Sequence, residues 1–236
     1  MTFVLGVFGI LIILAMLYFG IGKKMLGKIF IFRFWLIIEY LKILSEAGFP
    51  LKEFGIENRK ISPEELLNQI GMHYGLSCSF KLNIAENLGT GSNGGNIAGS
   101  IGIPTEIPDP KSKEFEKFTF NVNLSERFAK GDRSDMSVIL GHEVAHAYLF
   151  SHKIENYRSE LMTDVCAIAA GFSENYDAMS GIRISLDRSN MEESVKTFAK
   201  EQFENFKRGG NEYISKWEIP FTKLAIWYFA LKKHDT

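Results

Sequence analysis

The chain has 236 residues, room for one ordinary domain with attachments and hardly for two. It is 46% hydrophobic and 23% charged, which excludes a disordered or collagen-like chain. Its 27 basic and 28 acidic residues leave a net charge of −1, which gives no footing for nucleic acid as a partner; its two cysteines, Cys78 and Cys166, make neither a disulfide-dense scaffold nor a CxxC site.

Residues 3–22, FVLGVFGILIILAMLYFGIG, carry no charge. As a helix they would rise ~1.5 Å each and span roughly 30 Å, the thickness of a bilayer core. A cleaved signal peptide would need a basic start and a small-residue cleavage site, and neither is present. Residues 1–22 are therefore expected to be a transmembrane anchor. Lys23, Lys24, Lys28 and Arg33 follow the span and no basic residue precedes it, so positive charge places the C-terminal side in the cytoplasm.

Residues 23–50 form a basic, amphipathic juxtamembrane segment. The apolar run 29–44 contains Arg33, Glu39 and Lys42, which are costly in lipid. It is expected to be an interfacial or domain-packed helix, with Trp35 and Tyr40 near the headgroups. Residues 51–236 make up the main domain.

Ser62-Pro-Glu-Glu65 is a helix start, with Ser62 as cap and Glu65 completing a capping box. That helix should reach His73 and stop near Gly75. Residues 77–84 have strand character. Residues 88–104 are glycine-rich, and Gly89 to Gly94 matches GxGxxG. No helix follows, however, so the run reads as a loop near a cleft or a plain connection. Residues 118–124, FTFNVNL, alternate as a half-buried strand does. Helices are expected over 134–150, 154–171, 190–207 and 220–232. Strands before and helices after predict an α+β fold with a small antiparallel sheet.

His142-Glu-Val-Ala-His146 reads HExxH within a proline-free helical stretch. Positions i and i+4 share a helix face, so His142 and His146 can offer both imidazoles to one ion. Glu143, beside the first of them, can reach a water next to the ion and take its proton. A zinc site needs a third protein ligand, and Glu160, Asp164, His152 and Glu155 are the candidates. An antiparallel helix hairpin turning near His152 sets Glu160 level with His146 and Asp164 level with His142. Glu160 then closes the triad, while Asp164 accepts the outer N–H of a ligand imidazole, His142 above all.

HEVAH followed by Glu160-Leu-Met-Thr-Asp164 resembles the gluzincin zinc metallopeptidases, whose pattern is HExxH and then ExxxD on a second helix. The likeness covers about residues 118–172. It implies a zincin-like fold, zinc held by two His and the Glu, the HExxH Glu as general base, and the Asp supporting a ligand His. It also implies that the strand before the metal helix pairs with an extended substrate. The longer HExxHxxGxxH form is absent.

The expected protein is a membrane-anchored zinc peptidase. His142, His146 and Glu160 would hold the metal, Glu143 would act as base, and Asp164 would stand behind the metal ligands. Its partners would be a peptide or protein substrate and membrane lipid. A non-catalytic zinc-binding membrane adaptor and a zinc hydrolase of non-peptide substrates are the rivals. Cys166 reads as core packing, and Tyr157, Tyr213 and Tyr228 are equal candidates to stabilise an oxyanion.

Overall fold

The computed structural model describes residues 26–49, 54, 61–89, 97–172, 214 and 218–234; for 26–32 and 227–234 it describes the backbone alone. The chain divides into two compact units, residues 1–36 with 184–211 and residues 37–183 with 212–236. Of the first, only the opening of one helix is described. The expected anchor at 3–22 and the expected helix at 190–207 lie outside the described residues. Among the described residues no helix is long and apolar enough to cross a membrane.

The run 29–44 forms the middle of helix α1, Leu26–Glu46. Trp35, Ile38, Lys42 and Glu46 are exposed, whereas Ile37, Tyr40, Leu41 and Leu44 are buried. Of the two aromatics expected near the headgroups, Trp35 is exposed and Tyr40 packs inward. Tyr40 lies on the opposite face, 5% exposed, with its hydroxyl on Ser159. An amphipathic helix has two aromatic-tolerant faces, and the tyrosine belongs to the inner one.

Helix α2, Pro63–His73, starts as its sequence requires, with Ser62 Oγ accepting from Glu65 N at 3.1 Å. Three strands follow: β1, Ser79–Ala85; β2, Gly99–Gly102; and β3, Thr119–Ser125, the last preceded by the short helix α3, Lys113–Glu116. The sheet order is β1-β3-β2. β1 runs parallel to β3, with Phe80 opposite Phe120, and β2 runs antiparallel to it, with Gly99 opposite Leu124. The sheet is thus mixed, not antiparallel as expected. Side-chain alternation reveals which face of a strand is buried but says nothing about its direction. A crossover through residues 86–118, long enough for a parallel return, makes the difference.

The inner face of the sheet is Phe80, Phe120, Val122 and Leu124, all buried. Each such side chain contributes roughly 1.5–3 kcal/mol on burial. After the one-turn helix α4, Glu126–Ala129, comes the central helix α5, Arg133–Ser151. α2 packs on β1, and α5 packs on β2, β3 and α2. Gly71 lets α2 approach the sheet, since a Cβ there would stand 2.5 Å from the Phe80 ring. Helix α6, Glu160–Ala169, packs on α5, and helix α7, Glu218–His234, packs on α6. Within the second unit the fold is therefore α+β, with helices covering one small sheet.

Candidate metal centre

Helix α5 begins where Asp132 Oδ1 accepts from Ser134 N at 2.7 Å. Its middle is almost wholly buried. Four residues apart, His142 and His146 leave on one face, with ring centroids 4.9 Å apart and nearly perpendicular. At Gly141 a Cβ would stand 2.6 Å from the Phe172 ring, so that ring closes over the helix beside His142.

The hairpin turn is longer than expected, and the second helix starts later. Ile154 N bonds Leu149 O and Lys153 N bonds Phe150 O, the doubled closure of a left-handed helix end. Lys153 takes the left-handed position at φ 51°, where glycine is usual, and Asn156 takes another at φ 63°. Residues 154–159 are consumed in this turn instead of extending a helix from 154. Ser159 then caps α6, its Oγ accepting from Met162 N at 3.3 Å. Glu160 becomes the first helical residue, where unpaired amides favour negative charge.

This brings three donors together. Glu160 Oε2 lies 3.2 Å from His142 Nε2 and 3.4 Å from His146 Nε2. The three ligand atoms all fall within 4.8 Å of one another and could hold a metal ion. Behind them, Asp164 Oδ1 accepts from His142 Nδ1 at 2.9 Å, and Asp164 Oδ2 accepts from Ile214 N at 2.6 Å. Both carboxylate oxygens of this buried residue are thereby engaged away from the triad. Thr163 Oγ1 stands 3.1 Å from His146 Nδ1, so each imidazole has a partner on its outer nitrogen.

Charge follows this geometry. Burial opposes the charged form of His142. Its hydrogen bonds to Asp164 and Glu160, with the charges of Asp164 and Glu143, outweigh that and raise its pKa well above the ordinary value. Burial likewise opposes ionisation of Glu160, but its bonds to the two histidines hold its pKa far below the carboxylate range. Glu143 is raised, chiefly by burial; its side chain is 7% exposed and sits under β2. A Cβ on Gly99 would lie 3.1 Å from Glu143 Oε1, which shows how closely the strand covers it.

A cleft of about 630 Å³ opens on the cluster, with Glu143, His146 and Glu160 in its wall. Ile101, Ile103 and Pro104 line it from β2 and the chain just after it, and Phe150, Tyr157 and Arg158 line it from the hairpin. Of the three tyrosines singled out, Tyr157 reaches this cleft; Tyr213 and the side chain of Tyr228 lie outside the described residues. His152 is exposed and stacks on Tyr148 with its Nδ1 on the Tyr148 carbonyl, and Glu155 is exposed in the turn; neither joins the cluster. Cys166 is fully buried, as core packing requires. The strand before α5, β3, is the central strand with a neighbour on each side, so it has no free edge; the strand beside Glu143 is β2, drawn from the glycine-rich run.

Thr163, Gly99 and Ile214 escaped the sequence reading. Thr163 had one available signal, a hydroxyl residue three positions after the candidate ligand Glu160 on an apolar helix. No family model matches the chain, and neither a curated protein nor a solved structure matches it.

Proposed function

We propose that this chain is a zinc-dependent peptidase of gluzincin type, held at a membrane by residues 1–22, with its catalytic unit in the cytoplasm. The observation that carries the reading is the convergence of two imidazole Nε2 atoms on one Glu160 oxygen at 3.2 and 3.4 Å. Ligand atoms of a tetrahedral ion with bonds of ~2.0–2.1 Å stand roughly 3.3–3.4 Å apart, so the two spacings suit zinc. The donor set, two neutral nitrogens and a carboxylate, is that of an open hydrolytic zinc site.

Bound there, zinc would supply a Lewis acid that polarises the scissile carbonyl and acidifies a water. Glu143 would take the proton from that water and later hand it to the leaving amine. Asp164 and Thr163 would keep the imidazoles facing inward. An extended peptide would lie along β2, whose outer edge has no strand partner among the described residues, which brings its backbone close to Glu143. Tyr157 is the tyrosine in reach of the cleft for a developing oxyanion.

Glu143→Gln tests the reading. Gln matches Glu in shape and cannot take the proton, so zinc content should persist while hydrolysis of peptides falls by about a hundredfold or more. Lost zinc would make Glu143 a ligand or a structural residue. Zinc binding by a wild type that cleaves neither peptides nor esters would leave the adaptor as the function.

A further inference from the structure

Thr163 is fully buried on α6, and its hydroxyl has two close neighbours. One is the Ser159 carbonyl at 3.1 Å, the other His146 Nδ1 at 3.1 Å. A carbonyl can only accept, and the hydroxyl has a single proton. The proton therefore goes to Ser159 O, and the oxygen accepts from His146 Nδ1–H. With Nδ1 protonated, neutral His146 has its lone pair on Nε2, the atom that faces Glu160 Oε2. Two acceptors facing each other at 3.4 Å need a cation between them, a metal ion or a proton on Nε2.

The relay continues outward. Ser159 caps α6, and its Oγ accepts from the Tyr40 hydroxyl at 3.3 Å, 119 positions earlier in the chain. Tyr40 is buried on α1, on the face turned from solvent. Ser159 thus joins the two ends: Tyr40 of α1 holds its side-chain Oγ, and Thr163, the partner of His146, holds its main-chain carbonyl.

We propose that Thr163 and Tyr40 are positioning residues for His146, so that the docking of α1 sets the tautomer and aim of a metal ligand. The proposal rests on the zinc reading of the triad. It assigns α1 a task beyond joining two parts of the chain. A shift of α1 that parts Tyr40 from Ser159 Oγ frees the residue whose carbonyl orients Thr163, and metal affinity follows.

The test uses the full chain in detergent, with cobalt(II) as a coloured substitute for zinc and with zinc against a chromophoric chelator. Thr163→Val keeps the shape and removes the hydroxyl; Thr163→Ser restores the hydroxyl and drops a methyl. Thr163→Val should weaken metal binding about 10- to 100-fold and shift the cobalt absorption bands, and Thr163→Ser should recover most of both. Tyr40→Phe should weaken binding about two- to tenfold. In the metal-free protein, nitrogen-15 shifts of His146 at a pH where the ring is neutral should report Nδ1–H in the wild type and a mixture in Thr163→Val. Equal loss in the Val and Ser variants would make packing the cause and overturn the proposal, as would wild-type affinity and tautomer in Thr163→Val. A wild type that takes up no metal would sink the zinc reading instead, and the nitrogen shifts would still decide whether Thr163 sets the tautomer.

Discussion

Adding one methyl group at Gly99 should damage the site without touching any ligand. A Cβ there would stand 2.6 Å from Ile139 Cγ2, 3.1 Å from Glu143 Oε1 and 3.3 Å from Glu143 Cγ. Carbon atoms rest at ~3.5–4.0 Å, so the Ile139 contact is short by about 1 Å. β2 cannot simply back away, because Ser125 N holds Ala98 O at 2.9 Å and Gly99 pairs with Leu124. Ile139 is 1% exposed and has little room to retreat. Overpacking of this kind costs roughly 1–3 kcal/mol. In a chain of this size that lowers the melting midpoint by about 2–12 °C. Some of the strain falls on Glu143, the base in the function proposed above, and displacing a catalytic group by about 1 Å costs on the order of a hundredfold in rate. The assay compares Gly99→Ala with Gly102→Ala, whose new Cβ meets only Asn121 O at 3.8 Å, an ordinary contact. Gly99→Ala should lose stability and peptide turnover but keep its zinc, and Gly102→Ala should keep all three. Indistinguishable variants would refute the close seating of β2 on Glu143.

Asp164→Asn should be worse than its shape suggests. The carboxylate accepts from both His142 Nδ1 and Ile214 N, and an amide has one acceptor oxygen, so one buried donor is left unmet at about 1–3 kcal/mol; chemical denaturation would measure it. The metal-free protein should also carry a pH signature. His142, raised above 6.5, contributes stability that is complete below pH 6.5 and is lost as pH rises through its raised value. Glu160, lowered from 4.5, contributes stability present above pH 4.5 and lost as pH falls towards its lowered value. The cluster should thus stabilise most between those two ordinary values, and unfolding of metal-free wild type and Glu160→Gln across pH should differ most there. A reporter fused after Thr236 should behave as cytoplasmic, and labelling it from the far side of the membrane would reverse the orientation.

The metal cluster was legible because its spacing is local. HEVAH puts two rings on one helix face, and counting back from the turn levels Glu160 and Asp164 with them. What stayed hidden depends on chain direction or on distant partners. The alternation of β3 predicts its buried face, yet nothing in it announces a parallel neighbour on one side and a four-residue glycine-rich strand on the other. Tyr40 has the look of an interfacial aromatic, and only its placement on the inner face of α1 assigns it to Ser159. The late start of α6 turns on Lys153 and Asn156 adopting left-handed backbone, a conformation that lysine gives no hint of taking.

The bond from Ile214 to Asp164 also has a meaning in time. The carboxylate and its main-chain partner are 50 positions apart. At about 5–20 residues per second of synthesis, Asp164 is made roughly 3–10 s before the amide that holds its second oxygen. Through that interval HEVAH and Glu160 already exist as chain, while the support of His142 is half built. On the zinc reading proposed above, a nascent chain at that stage would hold a metal more loosely than the finished one, so the candidate site matures only once synthesis has passed Ile214.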